Sequence, residues 1–144
     1  MKIQKLTENL PYLAFAVALT ATVGSLYFSE IMDLPPCKLC WFERIAMYPL
    51  VVIFTVGIFK KDRNVAIYSL PLIVFGLIIA LYHNLLYWNI LPESYAPCQL
   101  GVSCTTKFFE WFGFITIPLM ALSGFVVLAA IMGAYAYLIR KETK

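Results

Sequence analysis

Two pairs of cysteines are the residues of this chain best suited to chemistry. Cys37 and Cys40 form a Cys-Lys-Leu-Cys motif that directly follows Pro35 and Pro36. Thiols at this spacing can close on each other, and a thiolate is favoured where the unpaired N–H groups of a helix start point at it. Closing so small a ring removes little chain entropy, so the pair is a poor structural staple and suits reversible electron transfer. Cys98 and Cys104 form a second, wider pair in a stretch broken by Pro97 and Gly101. Exchange with a protein substrate needs open access to a sulfur, and an irregular loop supplies it.

Two further residues stand near the first pair. Arg44 follows Cys40 by four positions, which puts both on one face of a helix, one turn apart. Its permanent charge suits a polar or anionic cofactor beside the cysteines, a nearby Cys40 thiolate, or a lipid headgroup. His83 is the single histidine and lies inside a long uncharged run. An ionisable residue at such a place is a functional candidate by default, set against a plain hydrogen bond between helices.

The elements that must position these residues are apolar. Of 144 residues 62% are hydrophobic and 13% charged, far from the roughly 25% charged of soluble domains. Uncharged runs cover Asn9–Ser29, Ile45–Phe59, Asn64–Pro92 and Trp111–Ile139. About 20 residues cross a bilayer core, and the second run reaches that length if Trp41 and Phe42 join it, with Glu43 and Arg44 at interface depth. The expectation is an all-α membrane protein, a four-transmembrane-helix bundle forming one integral domain over residues 1–144, with helices near 9–29, 41–59, 64–91 and 111–139. The first run lacks a cleavage site after its apolar stretch and reads as a retained helix. Pro71 and Pro118 read as helix kinks, and Ala14, Ala18, Thr22, Gly124, Ala129 and Gly133 as small residues at helix contacts.

Basic residues set the orientation. With both termini cytoplasmic, the inner segments carry Lys2, Lys5, Lys60, Lys61, Arg63, Arg140, Lys141 and Lys144, and the outer ones only Lys38, Arg44 and Lys107. That is a positive-inside pattern. The net charge of +3 therefore reports topology and contact with anionic lipid, and no nucleic-acid signature is present. All four cysteines then face outward, where disulfides persist in a bacterial-type cell membrane. Two per outer loop favours pairing Cys37 with Cys40 and Cys98 with Cys104. His83 lies roughly 12 Å below the outer end of its helix, at a depth similar to Arg44, so the two can line one pocket. A dithiol that is reoxidised repeatedly needs an electron acceptor, and a lipid-dissolved quinone is the natural one in a chain without haem or flavin motifs.

The segment Pro36-Cys37-Lys38-Leu39-Cys40-Trp41-Phe42-Glu43-Arg44 resembles the Pro-Cys-x-x-Cys-x-x-Glu-Arg signature of the DsbB/BdbC disulfide bond formation proteins. Tyr82-His83-Asn84 and Trp111-Phe112-Gly113 are similar too, and the likeness extends over nearly the whole chain. It implies that Cys37 and Cys40 exchange electrons with a quinone (menaquinone or ubiquinone), with Arg44 and His83 beside it. It implies that Cys98 and Cys104 oxidise a DsbA/BdbD-like thioredoxin-fold partner, sustaining disulfide formation in secreted proteins. The compact Cys98-x5-Cys104 loop is similar to the Gram-positive BdbC type and much shorter than the Gram-negative loop. On this reading Cys40, its thiolate favoured by the helix start and Arg44, faces the quinone and Cys37 resolves, while no metal is required. The alternatives are a membrane thiol reductase running in the opposite direction, a non-enzymatic protein holding zinc on all four cysteines, and a structural bundle with stapled loops.

Overall fold

The structure is a computed structural model, and it describes residues 2–92, 94, 103–105, 110–111 and 115–142. Helix α1 (Lys2–Leu26) runs into a π-helical turn at Tyr27–Ile31, and α2 (Lys38–Lys60), α3 (Val65–Tyr87) and α4 (Ile117–Glu142) follow. Two short antiparallel strands, β1 (Glu110–Trp111) and β2 (Ile115–Thr116), precede α4. Each helix packs on two others, α1 on α2 and α4 and α3 on α2 and α4, so the four close into a bundle. All four are long and apolar enough to cross a membrane. Their outer faces carry exposed Val52, Ile67, Ile78 and Val126, which suits contact with lipid tails better than with water.

Helix boundaries follow from caps and differ from those read off the apolar runs. α2 starts at Lys38, ahead of the expected residue 41, because Cys37 is its N-cap: its backbone is extended and its Sγ accepts the Cys40 N–H. α3 stops at Tyr87, short of residue 91. Asn89 adopts the left-handed conformation and the Ile90 and Leu91 N–H groups fold back onto the Leu85 carbonyl, a helix stop that asparagine tolerates.

The first helix begins at Lys2, ahead of the expected residue 9, and the fourth begins later than expected. Trp111 was expected to begin it, but Trp111 pairs with Ile115 across the strands and the helix starts at Ile117. Thr116 Oγ1 accepts the Leu119 N–H at 3.3 Å, an N-terminal cap. Pro118, read as a kink, sits in the first turn, where its missing N–H costs nothing. Pro71 does lie inside α3.

Close helix approach is set by glycines other than those singled out from the sequence. A Cβ on Gly76 would lie 2.1 Å from the Phe125 ring, and one on Gly57 would lie 2.6 Å from Val65. α4 therefore packs against α3 at Gly76, and α3 against α2 at Gly57. Ala14 and Ala18 are fully buried as expected, whereas Gly133 meets open space.

The termini share one end of the bundle with the α2–α3 turn. Arg63 at that turn pairs with Glu142 near the C-terminus at 2.6 Å, and Thr7 near the N-terminus bonds the same carboxylate at 3.5 Å. Cys37, Cys40 and Cys104 therefore lie towards the opposite end.

Candidate functional site

Capping builds the site. Because Cys37 occupies the N-cap of α2, its sulfur is turned back over the first turn, 3.3 Å from the Cys40 N–H and 2.9 Å from the Cys40 Sγ. Both cysteines are free thiols. From α3, His83 reaches across with Nε2 at 3.7 Å from the Cys37 Sγ. Its other nitrogen, Nδ1, lies 3.0 Å from Glu43 Oε1, about one turn beyond Cys40 on α2. The result is a Cys37–His83–Glu43 chain in which the three residues are only 6%, 2% and 7% exposed.

The roles follow from which atoms donate. A carboxylate only accepts, so the bond to Glu43 places a proton on Nδ1 and turns the Nε2 lone pair towards sulfur. The Cys37 thiol is lowered from its ordinary 9.0 to about 4, first because the Cys40 side chain donates to its sulfur. Burial opposes this, and the hydrogen bond and charge of His83 assist it. Cys37 is thus the sulfur built to hold negative charge. The sequence reading had placed the stabilised thiolate on Cys40, supported by Arg44. Arg44 instead donates from Nη2 to the Ser25 carbonyl at 3.1 Å and lies 5.4 Å over the Trp41 ring.

A cavity of about 600 Å³ opens beside these groups, between α1, α2 and α4. Cys37, Cys40, Arg44 and His83 all line it, as expected for a shared pocket, and Cys104 joins them. Volumes of about 300–1,000 Å³ are usual for small-molecule sites. The α1 wall is made of small residues, Ala16, Thr20 and Gly24 among them, and a Cβ on Gly24 would meet nothing within 4 Å. Gly124, expected at a helix contact, also lines it, and a Cβ there would meet Met47 of α2 at 3.7 Å. The Tyr48 hydroxyl borders the cavity, buried and without a hydrogen-bond partner among the described residues. With Arg44 it adds donors to a mostly apolar lining, a fit to a flat apolar molecule bearing carbonyl oxygens.

Cys104 is disulfide-bonded and buried at 4% exposure, in one apolar cluster with Cys37, Leu39 and Leu86. It was expected in an exposed loop; packing against α2 and α3 hides it. While it is in this disulfide, Cys104 offers no thiolate to a metal. Cys98 lies outside the described residues.

Glu43 is the site residue the sequence reading passed over. It was assigned to the membrane interface as a bare charge, yet its signal was present: an acidic residue three positions after Cys40 in a span otherwise free of acids needs a buried partner, and the only histidine was available. The α1 wall carried no signal, since small residues there read equally well as helix packing.

A family model described as "Disulfide bond formation protein DsbB" matches residues 7–135. The chain is 46% identical over 124 residues to a probable disulfide formation protein C of Halalkalibacterium halodurans, spanning 86% of this chain and 90% of that one. Identity is 44% over 121 residues to the disulfide bond formation protein C of Bacillus subtilis, 84% of this chain and 88% of the relative. A probable disulfide formation protein of Metapseudomonas resinovorans is 37% identical over 139 residues, 96% and 94% of the two chains. No solved structure gives a significant match.

Proposed function

The chain belongs to the DsbB family of disulfide bond formation proteins, and on that premise we propose that it reoxidises an extracytoplasmic, DsbA-like thioredoxin-fold partner and passes the electrons to a membrane quinone. One observation carries this reading: a single cavity is lined by both cysteines of the Cys-x-x-Cys pair, Cys104, Arg44 and His83.

The partner's dithiol reduces the disulfide that holds Cys104, with Cys98 as its mate, and the partner leaves oxidised. The freed Cys104 thiolate then attacks the Cys37–Cys40 disulfide, and a second exchange closes the loop pair again. Two electrons and two protons thereby reach Cys37 and Cys40. Cys37 holds the negative charge that results, since the Cys40 N–H and His83 both face its sulfur. His83 Nε2 takes the Cys37 proton, and Glu43 fixes the ring and balances the imidazolium. Closing the bond between the two sulfurs, 2.9 Å apart as thiols, releases the two electrons. A bound quinone supplies an acceptor for two electrons and two protons. Arg44 and Tyr48 would hold its carbonyls, and the small-residue α1 wall would admit its ring.

The cysteine end faces the extracytoplasmic side in this account. Lys60, Lys61, Arg63, Arg140 and Lys141 gather at the opposite end, which favours that end staying inside. The test is a reconstituted assay: purified protein, a reduced thioredoxin-fold protein and a quinone, followed by quinone absorbance. Quinone reduction that needs Cys37, Cys40 and Cys104 supports the proposal. A chain that carries electrons the other way would reduce the oxidised partner at the expense of a quinol.

A further inference from the structure

We propose that the reduced site doubles as a metal site, in which Cys37, Cys40 and His83 bind one zinc-class divalent cation and arrest electron transfer by locking the dithiol. This goes beyond the redox reading and does not depend on which acceptor the cavity takes.

The donor atoms are already gathered. The Cys37 Sγ, Cys40 Sγ and His83 Nε2 lie within 4.8 Å of one another. Tetrahedral zinc, with bonds of about 2.3 Å to sulfur and 2.0–2.1 Å to nitrogen, separates two sulfurs by roughly 3.8 Å and sulfur from nitrogen by roughly 3.5 Å. The Cys37–His83 pair stands at 3.7 Å. The two sulfurs, at 2.9 Å, have to part by roughly 1 Å, a small side-chain rotation.

The surroundings match a metal site as well. A metal-bound histidine usually donates its second ring N–H to a carboxylate, which fixes the tautomer and raises its basicity. Glu43 does this for His83 at 3.0 Å. Charge also closes: two thiolates and the Glu43 carboxylate are offset by a divalent cation and the neighbouring Arg44. Binding displaces two protons, the one shared by Cys37 and His83 and the one on Cys40, and changes no oxidation state. The fourth position faces the cavity and is left to water, the open arrangement of two cysteines and one histidine that zinc accepts. The oxidised pair cannot ligate in this way, so the cation binds the reduced chain alone.

The experiment uses the full chain in detergent micelles, reduced and desalted without oxygen, titrated with Zn²⁺ alone and separately with Co²⁺. One metal per reduced chain is expected, with Cys37 and Cys40 protected from maleimide and none bound after oxidation. Cobalt should give thiolate charge-transfer bands and the intense visible bands of a tetrahedral site. His83→Gln should weaken zinc binding at least tenfold, and Glu43→Ala by about 10–100-fold. Replacing Cys98 and Cys104 by serine should leave the binding in place. Equal metal in the oxidised chain, an octahedral cobalt spectrum, unchanged affinity in His83→Gln, or loss in the Cys98/Cys104 variant would each overturn the proposal. The cobalt spectrum of the unaltered chain decides even where a variant fails to fold.

Discussion

The His83 imidazole lies 3.7 Å from the Cys37 sulfur although 46 positions separate the two residues in the chain. That contact joins α3 to the first turn of α2 and converts a two-cysteine motif into a site with a proton acceptor. The expected consequences can be measured.

Alkylation of the reduced chain should report the Cys37 thiolate. With its thiol lowered to about 4, the rate at Cys37 should be flat from pH 6 to 9 and fall as the pH approaches 4. His83→Ala removes one stabilising partner and should shift that fall upwards. A rate at Cys37 that rises about tenfold per pH unit through neutrality would contradict the assignment.

The same group ties stability to pH. Its folded-state value lies below its unfolded one, so the folded Cys37 thiol binds fewer protons between about 4 and 9.0. The contribution of this thiol to the stability of the reduced form should therefore be present at high pH and be lost as the pH falls through about 4, a loss read between pH 6 and 4. The oxidised form lacks this titration. Thermal melts of both forms at several pH values check the difference, and parallel curves would count against it.

Filling the cavity should separate quinone binding from thiol exchange. Gly24→Leu places a side chain where a Cβ meets nothing within 4 Å. KM for the quinone should rise about tenfold or more, a loss of roughly 1.4 kcal/mol, while exchange with a thioredoxin-fold dithiol keeps its rate. An unchanged KM would move the quinone elsewhere.

Gly76→Ala should destabilise the bundle by about 1–3 kcal/mol, because the new methyl group meets the fully buried Phe125 ring at 2.1 Å. A lowered melting temperature in detergent checks it. Gly133→Ala, where nothing lies within 4 Å, serves as the neutral comparison.

Much of this architecture was legible in the residues themselves. Charge spacing marked four spans because a bilayer tolerates few charges, but the second helix was expected from 41 and begins at Lys38. The cap residues were harder to read. Asn89 and Thr116 end and begin helices through backbone bonds that hydropathy does not register, so the third helix was read too long and the fourth too early. Within the site, Cys37, Cys40, Arg44 and His83 were named and do line one cavity. The partition of charge between the two sulfurs was not legible, since it depends on which thiol caps the helix and faces His83. Glu43 was visible but unpaired, because its partner comes from another helix.

In the proposed function Cys37 and Cys40 hand two electrons to a quinone in the adjoining cavity. Anaerobic mixing of the fully reduced chain with one equivalent of quinone tests it most directly, with quinone absorbance and the Cys37–Cys40 bond followed together. The account predicts one hydroquinone formed per Cys37–Cys40 disulfide closed, and none with Cys40→Ser. Quinone that stays oxidised beside an intact dithiol, or quinone reduction that survives Cys40→Ser, would contradict it.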